Sequence, residues 1–244
     1  MVPGRPGPDV ELVENEFPLF IPISSHWKDS AGHGKYRGGV GTAQLWVAHH
    51  VPMVFMMAIA DNSKIQTPQG LFGGYAPCTI PGVSVAGADL MQRLEAGDAI
   101  DLDITEVLRS RSIGGEWGNE FQGRAPRPYM QNDVITVAFA TGGAGYGDPL
   151  ERDPESVGDD IDKGLVSEWA AEHVYQVVWD PQRRRVDPAA TERRRADERQ
   201  ARIARGRPYT EFEAEWLQRK PPEEILTWYG SWPDAKVVEP LMRP

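Results

Sequence analysis

Between residues 29 and 39 the chain reads DSAGHGKYRGG, setting Asp29, His33, Lys35, Tyr36 and Arg37 among four glycines. Lysine and arginine on a flexible backbone with exposed N–H groups suit an anion or a carboxylate. On that reading His33, Lys35 and Arg37 are the candidate catalytic residues. The same residues also read as a buried turn pinned by ion pairs between Asp29 and Lys35 or Arg37.

A second glycine-rich stretch, TGGAGYGDPLERDP (141–154), lies between an apolar run and a helix-like segment, where many proteins hold a phosphate. The chemistry argues against that use. A P-loop needs GxxxxGK[S/T], and no lysine is in reach. A dinucleotide loop opens directly into an apolar helix, whereas here Asp148, Glu151, Asp153 and Glu155 would repel a phosphate. The better reading is a tight turn with glycines at positive φ, followed by Asp153 as the N-cap before Pro154.

The remaining reactive residues are sparse. His49 and His50 end a strand-like run, so their rings are expected on opposite faces; one of them with Asp61 is short of the three or four ligands a metal needs. Cys78, in YAPCT, has no histidine near it in sequence and reads as inert. No nucleophile motif such as GxSxG occurs. From these residues alone, no cofactor or metal site is expected within this chain.

The 244 residues suffice for one large or two modest domains, and 40% hydrophobic with 25% charged residues is an ordinary globular composition. The net charge of −10 argues against a general nucleic-acid binder. No apolar run reaches the roughly 18 residues of a membrane span; the longest, VPMVFMMAIA (51–60), contains Pro52 and stops at Asp61. The acid- and proline-rich start has no signal-peptide character, and a single cysteine suits a reducing compartment. A cytoplasmic protein is expected. Residues 183–207 carry ten arginines against four acids, either a solvated helix with Glu–Arg pairs or a docking surface for an acidic partner.

These loops must be positioned by an α+β fold, β-rich over its N-terminal two-thirds and helical afterwards, with an extended tail. Residues 1–16 read as a weakly structured arm and FPLFIPI (17–23) as a strand. AQLWVAHH and VPMVFMMAIA (43–60) read as a hairpin. One short strand is expected in 67–87, and a small helix or an irregular turn in 88–97 ending at Gly97. The alternation of Ile100, Leu102 and Ile104 with Asp101, Asp103 and Thr105 predicts a half-buried strand over 99–111. Residues 114–130 read as loop and 132–141 as a buried strand. Then 155–164 and 166–174 predict helices, and YQVVWD (175–180) a strand. A helix over 187–206 is capped by Asp187 with Pro188 at its first position, and another spans 208–220. The aromatic tail, with Trp228, Tyr229 and Trp232, should lie on another surface. The expected division is 1–180, then 181–244 as a helical extension for subunit docking.

Three motifs, DSAGHGKYRGGVG, QGLFGGYAP and GGAGYGDPLERDPESVGDDIDKGLVSEWAAEHVYQVVWD, resemble in this order the C-terminal part of the hydantoinase B family. That family includes the B halves of 5-oxoprolinase, N-methylhydantoinase and caprolactamase, and subunits of acetone and acetophenone carboxylases. The resemblance spans roughly residues 15–180. It implies that the glycine loop is a fold signature and that ATP binds on a separate hydantoinase A half. The family's N-terminal acid and histidine motifs have no counterpart here, so a partner chain carrying that part is expected. ATP, Mg, Mn or Zn, and bicarbonate are expected in the partner subunits. The stretch ARGRPYTEFEAEW and the following KPPEEILTWYGSWP resemble the ketone carboxylase branch. The implied function is a small subunit of an ATP-dependent ketone carboxylase that acts through an enol phosphate and CO₂ from bicarbonate. The alternatives are a subunit of an ATP-dependent cyclic amidase and a purely structural subunit.

Overall fold

A computed structural model describes residues 8–57, 66, 68–80, 82–120, 126–138 and 141–219. It is an α+β protein whose elements run α1 (Val10–Glu16), β1 (Leu19–His26), β2 (Thr42–Ala48), β3 (Met53–Met56), β4 (Gly82–Ala86), α2 (Leu90–Ala96), α3 (Ile104–Ser110), β5 (Glu116–Glu120), β6 (Arg127–Met130), β7 (Val134–Ala138), α4 (Pro154–Asp162), α5 (Glu168–His173), β8 (Trp179–Asp180), β9 (Arg185–Val186), α6 (Pro188–Arg205) and α7 (Tyr209–Gln218).

The main sheet is antiparallel with strand order β1-β2-β7-β4-β5. Alternation on β2 sends Ala43, Leu45 and Val47 to one core, with Val85 and Val134 from the neighbouring strands and Leu90, Ile104 and Val107 from α2 and α3. Trp46, of opposite parity, packs with Leu19, Ile21 and Val13 of α1 in a second cluster. Phe20 and Ile23 both reach the first core although they are an odd number apart, because the β1 register shifts between them. Pro22 sits at that shift on an edge strand, where its missing N–H costs least. A third cluster, centred on Val157, Val166, Ala170, Ala171 and Tyr175, joins α4, α5 and the β8–β9 pair.

Several expectations are corrected. Residues 10–16 are a helix rather than a loose arm: the Asp9 side chain accepts from Leu12 N, Val13 is buried, and Glu14 accepts from Ile21 N. β2 and β3 do not form a hairpin; β2 pairs with β1 and β7, and β3 with β6. The expected strand at 99–111 is α3. Asp103 caps it by accepting from Thr105 N and is fixed by Lys28 at 2.6 Å. Ile104 and Val107 are buried, while Leu102, which the alternation would have buried, is exposed. Helical spacing from Ile104 therefore overrides the apparent period of two. The loop expected at 114–130 contains β5 and β6, which pair with β4 and β3 respectively. Of YQVVWD only Trp179 and Asp180 are strand.

The strands β4 and β7, the helix at α2 with Gly97 at φ +78, and the helices α4 to α7 follow the sequence reading. Asp187 accepts from Ala190 N, as its capping position predicts. Pro221, Pro222, Trp228, Tyr229 and Trp232 lie outside the described residues. The chain divides into two compact units, residues 1–195 and 196–244. Among the described residues no helix is long and apolar enough to cross a membrane.

Candidate functional site

The three glycine motifs form one body. Tyr36 pairs with Tyr146 in an antiparallel bridge, and Leu71 pairs with Tyr146 in a parallel one. The 141–149 loop thus lies between the 29–39 and 69–77 loops. Gly32 N donates to Gly143 O and Tyr75 N to His33 O, each at 2.8 Å. A Cβ on Gly145 would overlap the His33 carbonyl, and one on Gly38 the Gly143 carbonyl. These glycines permit backbone to pack on backbone.

That packing answers the phosphate question from the donor side. Gly143 N donates to Gly39 O, Gly145 N to Tyr75 O, Tyr146 N to Tyr36 O and Gly147 N to Leu71 O, at 2.8–3.0 Å. A phosphate nest needs such groups turned outward. Here they are spent on neighbouring loops. Gly142 and Gly147 take φ of +91° and +76°, and Asp153 accepts from Ser156 N ahead of Pro154, as a tight turn requires.

Arg37 anchors the knot to α4. Its Nε donates to one carboxylate oxygen of Asp160 and its Nη2 to the other, both at 2.9 Å, while Nη1 donates to Gly38 O. Arg152 Nη2 donates to the same carboxylate at 2.7 Å. The Arg37 and Asp160 side chains are only 12% and 7% exposed. Burial pushes the Asp160 carboxyl up, but the hydrogen bonds and charges of Arg37 and Arg152 outweigh it and hold it below the ordinary aspartate value.

The ion pairs expected from Asp29 are not the ones formed. Asp29 adopts φ +58° and accepts from Ser167 N, tying the knot to the start of α5. Lys35 instead pairs with Glu151 at 3.1 Å on an exposed surface. The partners come from residues more than a hundred positions away, which a local reading of DSAGHGKYRGG cannot reach.

His33 meets Tyr175, with Nδ1 3.0 Å from the phenolic oxygen and the rings edge to face. Burial lowers the imidazole's pKa, so it is neutral at pH 7; the charges of Arg37 and Arg152 act in the same direction and those of Asp29 and Asp160 oppose it. Burial pushes the phenol up to about 12, so it keeps its proton. Among the described residues His33 Nδ1 is the acceptor this hydroxyl has. The imidazole proton is therefore assigned to Nε2, which makes no hydrogen bond among the described residues. His33 thus presents a neutral N–H donor.

Sequence reasoning missed Arg152, Asp160 and Tyr175. One signal was available for Asp160: it lies three residues after buried Val157, a charge on the apolar face of α4. The two histidines expected on opposite faces touch edge to face, with centroids 3.9 Å apart, because His50 turns the chain at φ +54°. Asp61 lies outside the described residues. Burial raises the Cys78 thiol to about 11. Among the described residues no three His, Cys, Asp or Glu are grouped to hold a metal.

Comparison with known proteins places these loops in a family context. The hydantoinase B/oxoprolinase family model matches residues 2–149. The acetophenone carboxylase delta subunit of Aromatoleum aromaticum is 58% identical over 241 residues, covering 98% of this chain and 35% of that subunit. The acetone carboxylase alpha subunit of Xanthobacter autotrophicus is 31% identical over 227 residues, covering 84% of this chain and 27% of that subunit. A nucleotide-free structure of ATP-dependent acetone carboxylase aligns with a TM-score of 0.73 at 27% identity, covering 90% of this chain and 29% of that chain. The chain spans about a third, or less, of the length of these relatives.

Proposed function

The chain belongs to the hydantoinase B/oxoprolinase family, and from that premise we propose that it is a small subunit of a multi-subunit ATP-dependent ketone carboxylase. It completes a hydantoinase B-type body whose larger part a partner chain supplies, beside a hydantoinase A-like subunit that binds ATP. The observation that carries this reading is the 58% identity to an acetophenone carboxylase subunit along 98% of the chain. The complex works in the cytoplasm, and the single cysteine suits that reducing compartment.

The 141–149 glycine loop does not fit a nucleotide's phosphates. The glycine loop's N–H groups at 143, 145, 146 and 147 are bonded to neighbouring carbonyls rather than turned outward. Nor do the described residues offer a metal cluster. In this reading ATP, the divalent metal and bicarbonate belong to the partner subunits. This chain contributes the knot that presents His33 Nε2–H and the Lys35 ammonium to an anionic group of the ketone-derived substrate or to bicarbonate. Arg37, through Asp160, holds the loop that carries them.

Residues 181–244 act as the docking extension. In support, α7 has no buried residue and exposes Tyr209, Phe212 and Trp216, with the last two rings stacked 6.0 Å apart. Co-purification with hydantoinase A- and B-like chains, followed by ATP turnover with ketone and bicarbonate, tests the reading. A preparation that turns over ATP only with lactams or hydantoins would replace it.

A further inference from the structure

The glycine knot carries an outward-facing ring cluster that the chemistry above does not use. Tyr146 lies 6.2 Å from Tyr36 and 5.2 Å from Phe72, centroid to centroid. The three residues are 62% (Tyr36), 78% (Phe72) and 48% (Tyr146) exposed, with exposed Leu71 beside them. Large aromatic groups gathered in the open mark an interaction surface rather than scattered surface apolarity. The cluster is also stiff. Its three residues lie in loops bridged backbone to backbone, so little conformational freedom remains to be lost on docking.

The backbone at Phe72 makes the same point independently. Phe72 sits at φ +52°, a left-handed conformation that a bulky side chain rarely adopts, although glycines occupy positions 70, 73 and 74. Gly74 N donating to Leu71 O at 3.0 Å closes the turn that holds it there. The ring displayed at this conformational cost is the most exposed of the three. Strain kept at a ring that stays largely exposed beyond its contact with Tyr146 points to a gain made elsewhere.

We propose that the Tyr36–Phe72–Tyr146 cluster is the surface on which the larger part of the hydantoinase B-type body docks, an inference that rests on the reading under Proposed function. The occupant is an apolar polypeptide surface with hydrogen-bond acceptors for the two tyrosine hydroxyls. The chain aligns over 98% of its own length with only 35% of its acetophenone carboxylase relative, so most of that relative's mass lies outside this third. All three rings fall within the segment that matches the family, residues 2–149.

The test is co-expression of the full chain with tagged hydantoinase A- and B-like partners. Phe72→Gly removes the ring and relieves the left-handed backbone, so it leaves this chain's own fold intact or improved. It should lower the amount of this chain recovered with its partners at least tenfold. Hydroxyl-radical footprinting of the wild-type complex provides a second measure: Tyr36, Phe72 and Tyr146 should be labelled at least tenfold more slowly than in the unfolded chain. Undiminished recovery of Phe72→Gly, or free labelling of the rings in the complex, overturns the proposal and leaves the carboxylase reading standing. Failure of the wild-type chain to associate with either partner overturns both. Self-association that Phe72→Gly abolishes, with partner recovery unchanged, would assign the surface to a second copy and equally overturn it.

Discussion

Arg37 and Asp160 form a two-pronged ion pair, Nε and Nη2 each 2.9 Å from a carboxylate oxygen, across 123 residues of sequence. The pair fastens the first glycine loop to α4, and Arg152 shares the carboxylate from the other end of the knot. Arg37→Lys keeps the charge and loses the fork. It should cost about 1–3 kcal/mol of complex stability, in the range of a hydrogen bond to a charged group. Turnover per assembled complex should stay normal. A thermally normal variant with reduced turnover would instead place Arg37 at a ligand. Asp160→Ala strands two guanidinium groups and should cost about 3–5 kcal/mol.

The same carboxylate predicts a pH signature. Its pKa is depressed in the folded chain, so its contribution is fully present above the unfolded value of about 3.9. It is lost as pH falls through the lower folded value. The difference in urea midpoint between wild type and Asp160→Asn should therefore be constant from about pH 8 to pH 5 and close below about pH 4. A gap that persists undiminished at pH 3 would show that the ionised carboxylate is not its source.

Gly145 and Gly39 make a matched pair. A methyl group on Gly145 meets the His33 carbonyl inside van der Waals contact, while one on Gly39 meets nothing within 4 Å. Gly145→Ala should destabilise by about 3 kcal/mol or more, as overpacking against backbone does. Gly39→Ala should be neutral or stabilising by up to about 1 kcal/mol, since its backbone is not left-handed. Equal melting temperatures for the two variants would contradict the close-packed knot.

Cys78, with its thiol pushed up to about 11, should react slowly with disulfide reagents at pH 8. Against a free thiol of pKa about 8.5, its thiolate fraction falls some hundredfold, and higher intrinsic nucleophilicity recovers about tenfold. Labelling should be at least about tenfold slower than for glutathione. Labelling at the glutathione rate would contradict the inert assignment.

The sequence carried the fold class, the buried strand β7 and the C-terminal helices α4 to α7 because local signals there agree with the packing. Asp187, Pro188 and Gly206 mark α6 by capping chemistry alone. At Asp103 the local signals conflict. The alternation of Ile100, Leu102 and Ile104 mimics a strand, and the Asp103 cap, the long-range pair with Lys28 and the core contact of Val107 together select the helix. The glycine loops were legible as turns, yet their purpose emerges only when three distant segments are seen bonded to one another. His33, Lys35 and Arg37 were visible as polar tips. Glu151, Asp160 and Tyr175 lie more than a hundred residues away, and no spacing rule links them.

The central claim is that this chain serves a ketone carboxylase, and one measurement tests it most directly. The complex purified through this chain is given ATP in parallel with an aromatic or aliphatic ketone plus ¹³C-bicarbonate, and with a lactam or hydantoin. The account predicts ATP consumption coupled to ¹³C incorporation into a β-keto acid, with no turnover of the cyclic amides. ATP-dependent ring opening without labelled product, from the same assembled complex, would contradict it.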